Sequence, residues 1–146
     1  MTHEQFIELE TAKFAKQAGF DWEINSYLSY YGNCPDNPHW AVSIQQEYKD
    51  WNNYKFKHIH EAYSAPTQSV LQRWLREIKN IHIQIMFDSS ITVNKYYVII
   101  KIKDVTKTKN IYYNFLMRDN HISYFDTFED ALEAGLKQCL TLLIEK

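Results

Sequence analysis

The chain has 146 residues, of which 45% are hydrophobic and 16% aromatic, with a formal net charge of −2 and only three glycines. This length and this hydrophobic fraction are typical of one compact domain with a single core. The charge balance excludes a protein that is basic overall and binds nucleic acid for that reason. The scarcity of glycine argues against a glycine-loop nucleotide site.

The N-terminal segment predicts a helix with a defined end. Apolar residues recur at helical spacing across residues 3–18. Thr2 and Gln5 form a capping-box pattern near the start of this helix. Gly19 stands where helices commonly end on a residue with a left-handed backbone.

The segment from residue 20 to residue 63 is the richest in aromatic residues and the least regular. Its composition predicts a short strand at 25–30 and a turn at 32–38, where Gly, Asn, Asp and Pro are concentrated. Alternating side chains at 41–46 and again at 54–60 are consistent with two further strands. The secondary structure of this segment stays open, because the same aromatic residues occur in strands and in helices.

Residues 66–79 predict a second helix. Pro66 suits the first turn of a helix, where its missing N–H costs nothing. Gln68 and other polar residues are expected on the side that faces water. The residues expected to face the core follow helical spacing, and they are Val70, Leu71, Trp74, Leu75 and Ile78.

The pattern then changes to the period of a β-strand. At 81–87, four apolar residues alternate with His82, Gln84 and Met86, which predicts a half-buried strand. A second strand is expected at 95–104, with Tyr96, Val98, Ile100 and Ile102 on one face. A polar turn leads to a return strand at 110–117, so these strands form a hairpin, and 121–125 is expected to add a short strand.

The last helix is expected at 127–144. Two capping-box registers fit its start, Asp126 with Glu129 and Thr127 with Asp130. The acidic residues expected to interact with the positive end of the helix are Glu129, Asp130 and Glu133. The residues expected to face the core are Leu132, Leu136, Cys139, Leu140 and Leu143.

The order of these elements predicts an α+β fold in a single domain, residues 1–146. We expect an antiparallel sheet of about three to five strands, with the three helices packed on one face. Cys34 and Cys139 are isolated from each other, so a reducing cytoplasm is expected rather than a disulfide scaffold. No signal peptide is expected, and no apolar run approaches the ~18 residues of a membrane span.

Three motifs point together to one family. They are ETAKFAKQAGF at 10–20, APTQSVLQRWLREIKNIHIQI at 65–85 and TFEDALEAGL at 127–136. On these motifs the chain resembles a family of small uncharacterised proteins from gut bacteria and their phages or mobile elements. The resemblance implies a cytoplasmic, single-domain protein with an accessory role in a host–phage setting. It implies no catalytic residue and no cofactor.

A basic and aromatic surface is one candidate site. Residues 95–109 contain five lysines and one acidic residue. With Tyr97, Lys101 and Lys103 on one strand face, bases would stack on the ring and phosphates would meet the amines, as in single-stranded nucleic-acid binding. The alternative is a solubilised hairpin, because lysine also blocks edge-to-edge pairing. Neighbouring residues expected to face the same way are His82, Gln84, Tyr112, Asn114 and Arg118.

Two further sets of polar residues have both a functional and a structural interpretation. Arg73 and Arg76 project from one side of the second helix, as phosphate contacts do, but Arg73 can instead pair with Glu77. His58 and His60 would lie on one side of a strand as candidate metal ligands, or simply as two polar residues on a partly exposed strand. The sequence contains no recognisable catalytic set, and we expect no cofactor.

The aromatic segment is the main candidate for a contact surface. Eleven aromatic residues lie between residues 20 and 63. Tyrosine and tryptophan are preferred anchors of protein interfaces, although some of these rings must build the core. We therefore expect a non-catalytic protein that binds a protein partner or a second copy of itself. Single-stranded nucleic-acid binding and a metal-dependent enzyme are the alternatives. The candidate anchors are Trp22, Tyr30, Tyr31, Trp40 and Trp51.

Overall fold

The computed structural model describes residues 4–31, 39–57, 61–90, 92–103, 111–118 and 121–145. For residues 31, 39, 103, 111–115 and 118 the backbone alone is described. The predicted turn at 32–38, the two histidines at 58 and 60 and the polar turn after residue 103 lie outside the described residues.

Three helices and eight strands in the described ranges confirm the α+β class. The helices are α1 (Leu9–Gln17), α2 (Gln68–Lys79) and α3 (Phe128–Ile144). The first five strands are β1 (Ile24–Tyr31), β2 (His39–Lys49), β3 (Ala62–Ser64), β4 (Ile81–Asp88) and β5 (Lys95–Lys103). Three short strands follow, and they are β6 (Ile111–Phe115), β7 (Met117–Arg118) and β8 (His121–Ile122).

The strands of the described part of the chain are divided between two three-stranded sheets and a two-stranded ladder. The first sheet has the order β2-β1-β3, the second has the order β4-β5-β6, and β7 pairs with β8. Every pairing is antiparallel. The chain leaves the first sheet at Ser64, forms α2 and enters the second sheet at Ile81. The strands before and after α2 therefore pair separately instead of joining one sheet.

The second sheet has the alternation that the sequence predicts. Ile83 stands opposite Ile100 and both are buried, whereas the exposed His82 stands opposite Lys101. Helix α3 packs on β4 and β5, and α2 packs on β4. Gly135 lets α3 approach closely, because a Cβ there would lie 2.9 Å from Cγ1 of Val98. One face of this sheet is therefore covered by helices.

Helix α1 is confirmed, but it begins at Leu9 rather than at residue 3. Residues 5–7 run beside the start of α2 instead, where Ile7 N–H donates to Pro66 O at 3.2 Å and Gln68 N–H donates to Gln5 O at 2.8 Å. These bonds hold the N-terminal segment extended and bury Ile7. The predicted helix end is confirmed, since Gly19 has φ +90°.

Helix α2 begins at Gln68, after Thr67, so Pro66 precedes the first turn. Leu71, Trp74 and Leu75 are buried, as the apolar pattern predicts. Two positions differ from that pattern. Ile78 is 52% exposed and Gln68 is 4% exposed. Gln68 is buried because its amide donates to the Glu133 carboxylate of α3, so the polar group has a partner in the interior.

Helix α3 uses the second capping-box register, because Thr127 Oγ1 accepts a hydrogen bond from Asp130 N–H at 3.0 Å. Leu132, Leu136, Cys139 and Leu140 are buried, and Leu143 is partly buried against the core. Glu133 is buried rather than part of the solvated helix start. Across the described ranges, no helix is both long and apolar enough to cross a membrane.

Strands β1 and β2 of the first sheet lie within the aromatic segment. The strand expected at 41–46 lies within β2, and the one expected at 25–30 lies within β1. The register of β1 with β2 shifts between Ile24 and Ser26, so the ladder has a bulge or another irregularity there. Of the strand expected at 54–60, the described part, 54–57, is irregular and follows a turn at 51–53.

Candidate functional site

Trp51, one of the candidate anchors, belongs to the core. Its side chain is 4% exposed, and its indole N–H donates to Ile24 O at 2.6 Å. Phe20 and Tyr27, from the same segment, are also buried. Part of the aromatic surplus therefore replaces the aliphatic residues that this segment lacks.

Three of the other candidate anchors, Trp22, Tyr30 and Trp40, are half-buried and already in contact with neighbouring groups. Trp40 packs against Tyr30 and Tyr63, each with ring centroids 5.8 Å apart, and Lys13 Nζ lies 5.5 Å from its centroid. Trp22 lies beneath the guanidinium of Arg73 at 5.8 Å. For Tyr31 the structure describes only the backbone.

The two most exposed large apolar side chains among the described residues, Tyr48 and Ile44, lie on β2 instead. Val42, Ile44 and Tyr48 are 37%, 63% and 64% exposed. Ile44 and Tyr48 line an open groove of about 270 Å³ whose other side includes Val70 of α2. Within the described ranges β2 pairs with β1 alone, so its second edge is open. An open edge with exposed apolar side chains is a template for another strand.

A second concave feature, the aromatic cleft, lies at the end of β2. Its volume is about 470 Å³. Tyr54 meets Trp51 edge-on at 5.3 Å and Phe56 at 4.9 Å, and Tyr27 lies 5.0 Å from Phe56. The cleft is lined by Tyr27, Gln45, Gln46, Glu47, Lys49, Trp51, Tyr54 and Phe56.

Lys49 places a positive charge against the rings of the aromatic cleft. Its Nζ lies 4.4 Å from the ring centroid of Tyr54 and 5.8 Å from that of Trp51. The same atom lies 2.9 Å from Oε2 of Glu47. The hydrogen bond to Glu47 raises the pKa of Lys49 above its ordinary value, so the ammonium form is favoured.

Asn52 fixes the turn that carries the cleft. Its Nδ2 donates to Phe20 O and its Oδ1 accepts from Ser64 N–H, both at 2.9 Å. Asn52 N–H donates to Ser64 Oγ at 3.1 Å. The sequence pattern alone does not predict this cleft. The signal was the run Asp50-Trp51-Asn52-Asn53, in which turn-forming residues separate aromatic ones.

Two residues of the predicted basic and aromatic surface, Tyr97 and Lys101, are described with their side chains on the second sheet. Tyr97 and Lys101 are half-buried on strand β5, opposite Met86 and His82 in register. Tyr97 packs edge-on against Tyr124 at 6.1 Å. For Lys103 and Arg118 the structure describes only the backbone.

The expectation that Tyr112 and Asn114 face the same way as Lys101 is not met by the pairing of β6 with β5. Tyr113 is the partner of Lys101, whereas Tyr112 and Asn114 are partners of Ile102 and Ile100, which belong to the core set. Alternation in the sequence shows which residues of a strand share a face. The length of the turn decides which residues of the two strands stand opposite each other, and that turn lies outside the described residues.

The remaining candidate residues are the two arginines of α2 and the two histidines after β2. Arg73 Nε donates to Glu77 Oε1 at 2.7 Å, which confirms the predicted pair, and Arg76 is exposed. His58 and His60 lie outside the described residues. In the described ranges, no group of three or more His, Cys, Asp or Glu side chains is placed to hold a metal ion.

Comparison of the chain with protein-family models, with curated proteins and with solved structures found no match in any of the three. The candidate site therefore rests on geometry alone. It consists of the open edge of β2, the groove beside it and the aromatic cleft at its end.

Proposed function

We propose that the protein is a non-catalytic binding protein that contacts another protein chain along the open edge of β2. The observation that carries the proposal is the exposure of Ile44 and Tyr48, 63% and 64%, on an edge strand. Full burial of an apolar side chain of this size is worth roughly 1.5–3 kcal/mol. An added strand would also pair with the open backbone groups of β2, as in other strand-addition complexes.

The composition of β2 supports a second copy of the chain as the partner. Residues 40–46, WAVSIQQ, contain no charged side chain and no proline, the usual devices that block edge pairing. In an antiparallel register centred on Val42, Val42 would face itself and Ile44 would face Trp40 of the other copy. Such pairing is two-fold symmetric and closes at a dimer.

A matched pair of isoleucines tests this proposal. Ile44 on β2 and Ile78 on α2 are both exposed, at 63% and 52%. We expect sedimentation equilibrium to show concentration-dependent dimers that Ile44→Lys abolishes and Ile78→Lys preserves. A photocrosslinking residue at position 42, compared with one at position 78, identifies the partner by adduct mass. Failure to form any adduct specific to position 42 would contradict contact through β2.

The proposal includes a cytoplasmic location and an accessory role in a host–phage setting. The cytoplasmic location is supported by the free thiol of Cys139, which is buried on α3 as a small core residue. The accessory role is supported by the resemblance to the family from gut bacteria and their phages. Localisation of the tagged protein in fractionated cells tests the first part.

A second candidate function is single-stranded nucleic-acid binding on the second sheet. The observation that favours it is the register that sets Lys101 beside the exposed His82, on the face away from α3. Fluorescence anisotropy of a labelled oligonucleotide should then show binding that weakens as salt increases. Lys101→Glu is expected to reduce this binding, with Lys55→Glu, an exposed lysine in the irregular stretch after the turn at 51–53, as control. Absence of binding at low salt removes this candidate.

A further inference from the structure

The aromatic cleft has the composition of a cation-binding site. The rings of Trp51 and Tyr54 meet at 71°, so they form two walls of a corner. Phe56 adds a third ring, stacked at 21° to Trp51. Aromatic faces carry negative electrostatic potential and attract cations, with tryptophan the strongest of the three types. The carboxylate of Glu47 stands at the same corner, 2.9 Å from Lys49 Nζ.

We propose that the aromatic cleft binds a quaternary ammonium group, which displaces the ammonium of Lys49 from the rings of Tyr54 and Trp51. The inference goes beyond the contact along the β2 edge and does not depend on it. The ligand class is defined by its chemistry, a trimethylammonium group. Choline and the trimethylated lysine side chain are two sources of this group.

The position of Lys49 shows which kind of group the cleft accepts. Its Nζ is 4.4 Å from the Tyr54 centroid, within the distance at which a cation interacts with a ring. Its side chain is 35% exposed and carries a flexible four-carbon stem. Lys49 can therefore turn toward water while a ligand takes its place. No backbone movement is required for this exchange.

Methylation of the ligand decides the competition with Lys49. A primary ammonium is strongly hydrated, so it gains little by leaving water for an aromatic surface. A trimethylammonium group has no N–H donors to leave unpaired, and its methyl groups bury apolar surface against the rings. The cleft, about 470 Å³, lies within the size range of ligand sites.

Tyr54 has the exposure expected of a ring that meets a ligand. It is 42% exposed although it touches Trp51, Phe56 and Lys49. Part of its surface therefore stays available to a ligand. Trp51, by contrast, is held at the base of the cleft by its bond to Ile24 O, so its position is fixed before a ligand arrives.

The test is a titration of the full chain with tetramethylammonium, choline and Nε-trimethyllysine, observed by proton NMR. We expect a saturable upfield shift of the ligand methyl signal, caused by the ring currents of the cleft. Lys49→Gln removes the competing ammonium and should tighten binding about two- to fivefold. Tyr54→Leu should abolish the shift, and Tyr54→Phe should retain it.

Two controls make the result decisive. Lys13→Gln removes a lysine that lies 5.5 Å from Trp40 in another part of the fold, so it should leave the affinity unchanged. The neutral analogue 3,3-dimethyl-1-butanol has the shape of choline without its charge and should bind much more weakly. The proposal is overturned if neither the native chain nor Lys49→Gln shifts the methyl signal. Equal binding of the neutral analogue also overturns it. Tighter binding of trimethyllysine than of choline assigns the site to a protein side chain, and the reverse order assigns it to a small molecule.

Discussion

Glu133 of α3 and Gln68 of α2 meet in the interior, where Gln68 Nε2 donates to Glu133 Oε2 at 2.8 Å. Both residues are at most 5% exposed. The other carboxylate oxygen of Glu133 accepts from the backbone N–H of Glu8 at 2.8 Å, just before α1. One buried carboxylate thus joins all three helices, and its hydrogen bonds compensate for its removal from water.

Glu133→Ala is expected to lower the free energy of unfolding by about 2–4 kcal/mol, because it leaves Gln68 Nε2 and Glu8 N–H without this partner in the interior. Urea denaturation followed by circular dichroism measures the change. Glu129→Ala is the control, since its side chain is exposed on the same helix and the loss there should stay near ~0.5 kcal/mol. Equal losses in the two variants would contradict the role of Glu133.

Gly135→Ala is expected to destabilise the fold although alanine favours helices. The added Cβ would lie 2.9 Å from Val98 Cγ1, closer than packing allows, and 3.1 Å from Ile83 Cγ2, which is a tight contact. Overpacking of this kind costs roughly 1–3 kcal/mol, and the helix preference of alanine offsets about 1 kcal/mol. Val98→Ala should relieve the clash in the double variant. A purely additive double-mutant cycle would show that the close approach is not the cause.

Asn52→Ala is expected to loosen the turn that carries the aromatic cleft. The substitution leaves Phe20 O and Ser64 N–H without their side-chain partners in a buried site, which should cost about 2–3 kcal/mol. Asn53→Ala removes only the exposed bond to Asp50 and should cost under ~1 kcal/mol. Thermal unfolding compares the two variants. A larger effect at Asn53 would be inconsistent with this account.

Cys139 is expected to be unreactive and to stabilise the fold in a pH-dependent way. Burial raises the pKa of its thiol from an ordinary value of 9.0 to about 12. The folded chain therefore favours the neutral thiol. Its contribution to stability is fully present below pH 9.0 and is lost as the pH rises from there to about 12.

The difference in unfolding free energy between the native chain and Cys139→Ala, measured at pH 8 and at higher pH, isolates this contribution. In a Cys34→Ser background, a thiol reagent at pH 8 should label Cys139 only after denaturant is added. Rapid labelling of the folded chain would contradict burial of the thiol.

Local periodicity predicts most of the second half of the fold. The change from helical to alternating spacing at Ile81 places the boundary between α2 and β4 within two residues. The core faces of β4 and β5 follow directly from it. These elements are predictable because each buries one regular face, so sequence spacing and burial report the same geometry.

Long-range polar contacts are the part that the sequence does not reveal. Gln68 looks solvated by its helical position, yet it is buried because Glu133 lies across from it. Phe6 looks helical, yet it pairs with Thr67 in an isolated bridge. The aromatic cleft depends on a turn fixed by Asn52 and Ser64, twelve residues apart in sequence. In each case a distant partner outweighs the local preference.

The register shift between β1 and β2 also limits how much of the open edge can accept another strand. Ser26 pairs with Ile44 and Ile24 pairs with Lys49, so the stretch between Ile44 and Lys49 does not follow a straight ladder. An added strand therefore meets a regular template only along the first half of β2. Residues 40–46 of that half contain neither a charged side chain nor a proline to block pairing. Strand addition is thus confined to one short, uncharged stretch of the edge.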